Sequence, residues 1–161
     1  MNNLQFKGNL MLLLKSIAVP LLTGALASIL TIQSMQNFST LNKPVFSPPA
    51  ILFPIVWTIL YTLMGIGSYI VVTSGGSESD IQRAIRIYRL QLLVNFLWPT
   101  FFFNFQWYLF SFLWLIFLWI LVFVMIIRFE RVSKIAAYIN IFYLIWLTYA
   151  AALNLSIFML N

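Results

Sequence analysis

The sequence has no cysteine, no histidine and only three acidic residues in 161. Without Cys there is no disulfide framework and no thiolate metal site. Without His, and with only Glu78, Asp80 and Glu130 as acids, most acid–base, metal and nucleophile-plus-base chemistry is excluded, and no metal site is expected. Charge of either sign is scarce, at 7% of residues against about 25% in a soluble domain. So few charges cannot cover a water-facing surface, which rules out an ordinary soluble enzyme and a disordered tail. The nine basic residues give a net charge of +6. They are too scattered for a phosphate-tracking patch, so no nucleic-acid partner is expected.

What is present is apolar: 63% of residues are hydrophobic and 18% aromatic. A membrane span needs about 20 mostly apolar residues. Five stretches qualify, at about 11–35, 51–73, 85–103, 107–127 and 135–160. They do not alternate as barrel strands do, and lipid leaves helices as the structure that satisfies its own backbone. The expectation is an all-α integral membrane bundle of five transmembrane helices in one domain, 1–161, with the lipid bilayer as its first partner. The connection 36–50 stands apart. It carries Pro44, Pro48 and Pro49 together with Phe38, Leu41 and Phe46, so it is stiff and has apolar groups to cover.

Lys and Arg counts set the orientation. Lys7, Lys15, Arg83, Arg86, Arg89, Arg128, Arg131 and Lys134 share one side, and Lys43 alone takes the other. The N-terminus is therefore expected in the cytoplasm and the C-terminus outside, with the proline-rich loop on the outer face. The three acids fall on the inner side, where pairing with Arg and Lys is expected. Lys7, Lys15 and Ala25-Leu26-Ala27 resemble a cleavable signal, but the apolar run continues through Ile29, Leu30 and Ile32 and is long enough to span.

Three stripes of polar and aromatic residues lie at helical spacing. Phe53, Trp57 and Tyr61 form one on the second span. Gln91, Asn95 and Trp98 form another on the third, and Trp146, Ala150 and Asn154 a third on the fifth. At about 1.5 Å per residue, most of these lie in the outer half of the membrane, below the stiff loop. Opposed indole, phenol and phenyl faces with a few amides suit a flat, aromatic, mostly apolar ligand. The alternative on periodicity alone is that Gln91, Asn95 and Asn154 only hydrogen-bond between helices. Trp107 reads as an interface anchor, and Arg83, Arg86 and Arg89 as a headgroup-facing edge.

Leu41-Asn42-Lys43-Pro44, then Ser47-Pro48-Pro49, Phe53, Val56-Trp57 and Leu60-Tyr61, resemble the signature of the TspO/MBR family. Gln91, Asn95, Trp98, Phe101 and Phe102 resemble its third-helix motif, and Trp146, Ala150, Leu153 and Asn154 its fifth-helix motif. The resemblance implies a five-helix bundle, usually a homodimer, that binds porphyrins such as protoporphyrin IX and flat synthetic aromatics. It places Trp57, Asn95, Trp98, Trp146 and Ala150 in the pocket, with Pro44, Pro48 and Pro49 shaping the lid. Phe46, Phe53, Tyr61, Gln91 and Asn154 complete the expected ligand-binding set. Porphyrin is then a ligand and not a tightly bound cofactor. Some members are credited with light-dependent porphyrin breakdown through tryptophans matching Trp57 and Trp146, which makes those two the catalytic candidates. A third reading is a tetrapyrrole transporter. Asn37-Phe38 replaces a common Trp-Tyr pair, Phe142 replaces a usual proline before Tyr143, and Leu155 replaces a frequent Tyr. No basic residue follows Leu155, so the cholesterol-recognition pattern is missing and specific sterol binding is not expected. The N-terminus lacks an Arg-rich transit segment, which favours a bacterial membrane.

Overall fold

The structure, a computed structural model, describes residues 3–161. The side chains of residues 3–8, Asn37 and Ser39 are outside what is described, so the readings that rest on Lys7 and Asn37 lie there too. Five long helices follow in order: α1 (Asn3–Met35), α2 (Leu52–Val72), α3 (Glu78–Pro99), α4 (Tyr108–Val132) and α5 (Lys134–Leu160). Among the described residues there is no strand.

Four stretches are long and apolar enough to cross a membrane: Asn9–Met35 within α1, and the whole of α2, α4 and α5. The expected third span, 85–103, is different. Its helix starts earlier, at Glu78, and is α-helical only to Pro99. The local reasons are plain. Ser77 caps α3 by accepting from the Asp80 N–H, and Glu78 and Asp80 suit the positive end of the helix. Arg83, Arg86 and Arg89 then punctuate its first turns. The charge-free part beyond Arg89, 90–103, is only about 21 Å long against a hydrocarbon core of about 30 Å.

The helices close a ring in which α1 packs on α2, α2 on α5, α5 on α4, α4 on α3, and α3 returns to α1. The α4–α5 pair is the most extensive, because Ser133 alone joins them and caps α5. Gly65 lets α1 approach closely: a Cβ there would stand 2.5 Å from the Ile17 Cα. Met64, Leu118, Val122, Met125, Phe129, Tyr143 and Leu147 fill the centre with no exposure above 1%. Outward faces carry Leu22, Ile29, Ile120 and Phe142, the pattern of helices whose solvent is lipid.

At the loop end, a π-helical turn over Thr100–Asn104 widens the tail of α3. It turns Phe102 inward, to 3% exposure, stacked on Trp98 at 5.1 Å. Gln106 takes a left-handed backbone (φ 55°) to reverse the chain into α4. Among the described residues the expected inner-side ion pairs of Glu78 and Asp80 are not seen: Asp80 engages Ser77, and Glu78 accepts from Gln82.

Candidate functional site

The α3 stripe turns into the bundle as its spacing requires. Gln91 and Asn95 are fully buried. The Asn95 side-chain amide donates to the Tyr143 hydroxyl at 2.9 Å, and that hydroxyl donates to Gln91 Oε1 at 3.2 Å. Gln91 Nε2 reaches the Met64 sulfur at 3.9 Å. Tyr143 is thus the hub that joins α5 to both amides. Its signal in the sequence is its register, three turns before Asn154 on the same face of α5.

One turn nearer the loop, Trp98 donates its indole N–H to the Ser111 carbonyl at 3.1 Å and to Asn154 Oδ1 at 3.3 Å. The Asn154 amide donates to the Tyr108 carbonyl at 2.9 Å, and the Ser111 hydroxyl donates to Asn154 Oδ1 at 3.1 Å. Trp98 and Asn154 are therefore brought together, in a junction that ties α3, α4 and α5. Ser111 and Tyr108 belong to this junction but to no stripe read from the sequence.

The α2 stripe meets α5. Trp57 lies against Tyr61 (ring centroids 5.4 Å apart) and edge-on to Tyr143 (6.1 Å). Phe53 meets Trp146 edge-on at 6.2 Å, and Trp146 leans on Tyr149 at 5.3 Å. Ala150 is half-buried against the same core. Above them, Phe38 packs edge-on against Phe53 and Phe103 and tilted against Phe102, with the Lys43 ammonium 4.7 Å from its ring centre. Phe46 rests on Tyr149, whose hydroxyl donates to the Phe46 carbonyl at 2.8 Å. Pro44 and Pro48 are half-buried and Pro49 is exposed; a turn closes between Pro44 and Ser47. Asn42 is tied to the end of α5: its N–H donates to Asn161 Oδ1 at 3.0 Å, and Asn161 Nδ2 donates back to the Asn42 carbonyl at 3.0 Å.

A groove of about 630 Å³ opens between α2 and α5, lined by Val56, Ile59, Leu60, Leu63, Phe142, Ile145, Trp146 and Tyr149. Of the expected pocket residues, only Trp146 lines it. Trp57 and Asn95 stand behind its wall, joined to each other through Tyr143. Trp146 also carries an unusual group. Its indole N–H is buried and meets no acceptor among the described residues. The indoles of Trp98, Trp114 and Trp119 all have one: Trp114 donates to the Val94 carbonyl at 2.8 Å and Trp119 to Thr148 Oγ1 at 2.9 Å. A buried donor without a partner costs about 1–3 kcal/mol. The arrangement offers aromatic and apolar faces on which a flat ring can stack, with the Trp146 indole N–H enclosed beside them. It holds no cluster of His, Cys, Asp or Glu for a metal among the described residues.

Comparison with known proteins gives the same direction. The TspO/MBR family pattern matches residues 16–160. The "Tryptophan-rich protein TspO" of Archaeoglobus fulgidus is 37% identical over 154 residues, covering 95% of this chain and 99% of the relative. That of Chlorobaculum tepidum is 36% identical over 124 residues, 77% of this chain and 78% of the relative. The "Translocator protein" of Sus scrofa is 30% identical over 138 residues, 84% of this chain and 82% of the relative. With this match running through the apolar helices, the ring they form and the tryptophans at its loop end, the chain is a membrane protein of the TspO/MBR family.

Proposed function

We propose that this protein is a membrane receptor for flat, mostly apolar tetrapyrroles of the protoporphyrin type, held between α2 and α5 at the loop end of the bundle. The observation that carries this reading is the buried, unpartnered indole N–H of Trp146 beside an apolar groove. A ring nitrogen or carboxylate of the ligand supplies the missing acceptor. The groove, about 630 Å³, falls in the range of about 300–1,000 Å³ that small-molecule sites occupy. Phe53 and Trp57 give further aromatic faces, and Asn95 and Gln91 hold the back wall through Tyr143. Pro44, Phe46, Pro48 and Pro49 form the lid, where Lys43 and loop N–H groups meet propionates. The names of two kinds of relative, a sensory protein and a translocator, fit a small-molecule role.

The proposal places α3 across the bilayer as a fifth span, because it closes the ring between α4 and α1. It sets the N-terminus in the cytoplasm, the lid outside, and two copies together as a homodimer in a bacterial membrane. The test is quenching of tryptophan fluorescence by protoporphyrin in detergent. Trp146→Phe and Asn95→Leu are expected to weaken it; quenching equal to that of the unmodified chain overturns the pocket.

A second reading has one specific support: two redox-capable indoles flank the α2–α5 groove, Trp146 lining it and Trp57 behind its wall against Tyr143. In that reading light and oxygen drive porphyrin breakdown. Loss of porphyrin absorbance under illumination, abolished in a Trp57→Phe, Trp146→Phe double variant, tests it.

A further inference from the structure

We infer that the outer face of α3, with Lys15 of α1 at the depth of Arg89, is a binding edge for anionic phospholipid headgroups on the inner leaflet. The inference rests on α3 crossing the bilayer and is independent of the porphyrin pocket. Arg83, Arg86 and Arg89 recur every three residues along one face, and all three are exposed. The acids nearest them in sequence are already engaged by Ser77 and Gln82, and among the described residues these arginines form no ion pair. Depth makes this consequential. Gln91 lies opposite Met64 of α2, and Gly65 lies against Ile17 of α1. Arg89 and Lys15 are each two residues nearer the inner end, so they stand at roughly the same level, about 3 Å below that contact. Val72, the end of α2, lies about 8 Å farther still.

Two cations on neighbouring helices therefore sit inside the zone that α2 spans with apolar residues. Exposed Leu90 and Leu93 continue directly from Arg89 along α3. A guanidinium at that depth must snorkel to the surface or draw a phosphate down to it. Basic sites between membrane helices on the cytoplasmic side bind anionic headgroups for this reason. The short apolar stretch of α3, which fails as a self-sufficient span, is completed by lipid phosphates held at its arginines.

The test uses the full chain in bilayers of equal parts phosphatidylcholine and phosphatidylglycerol, extracted with its nearest lipids, which are then weighed by mass spectrometry. Phosphatidylglycerol is expected to be enriched over the bulk ratio. Arg86→Gln with Arg89→Gln should lower that enrichment by about fivefold per arginine, while Arg86→Lys with Arg89→Lys retains most of it. Removing the same charge elsewhere, by Arg131→Gln with Lys134→Gln, should leave it unchanged. High salt on the unmodified chain should release the excess, whether or not the glutamine variant folds. Inorganic phosphate at a low concentration, with ionic strength held constant by the buffer, should not; displacement by phosphate at constant ionic strength assigns the edge to a free anion and overturns the lipid reading. Enrichment that survives the glutamine pair, falls equally in the control pair, or resists salt also overturns it. Protoporphyrin quenching by the arginine variants should match the unmodified chain, which separates this result from the fate of the pocket.

Discussion

Six indoles share this chain, and their N–H groups divide them. Those of Trp98, Trp114 and Trp119 are tied to acceptors on other helices, so these residues hold the bundle together. That of Trp146 is not. Replacing it by Phe removes no internal bond, so thermal stability should hold while protoporphyrin affinity falls about three- to tenfold, the worth of one hydrogen bond. Asn154→Leu should do the reverse. It strips three hydrogen bonds from a junction of three helices, costing about 1–3 kcal/mol in denaturant or thermal unfolding. At this scale the sequence is legible only in part. Helical spacing puts Gln91, Asn95 and Asn154 on inward faces. It does not say that one phenol, Tyr143, consumes both α3 amides, because that pairing joins residues about fifty positions apart and depends on helix order around the ring.

Elements are set by close approach and by where apolar runs stop. Gly65 meets the backbone of α1 at Ile17 and Ser16, which cannot move aside as a side chain would. Gly65→Ala should cost about 1–3 kcal/mol and loosen α1 from α2, read as a lower melting temperature in detergent. The runs that became α2 and α5 are legible to within a residue of their ends, whereas α1 begins eight residues before its apolar run and α4 ends five residues after its own. The third was harder, since Ser77 and its acids start the helix well before the lipid does, and arginines punctuate the first half. The natural absence of cysteine offers a clean probe of that helix. Single cysteines at Arg83 and Asn104 should label from opposite faces of oriented vesicles. Labelling from one face denies that α3 crosses.

For the whole molecule, the loop 36–50 is tied to α5 at two points: Asn42 at the end of α5, and Phe46 at Tyr149. Loosening the first by Asn161→Ala, which removes both side-chain bonds to the Asn42 main chain, should speed porphyrin association in stopped-flow quenching and leave unfolding nearly unchanged. The account as a whole places a flat ligand against the α2–α5 wall, with Trp146 as its anchor. The most direct measurement is a structure of the protoporphyrin complex in lipid. The account predicts a ligand acceptor within about 3.2 Å of Trp146 Nε1, with the ring against Phe53 or Trp57. A ligand seated on another face, leaving that indole N–H still unmet, would contradict it.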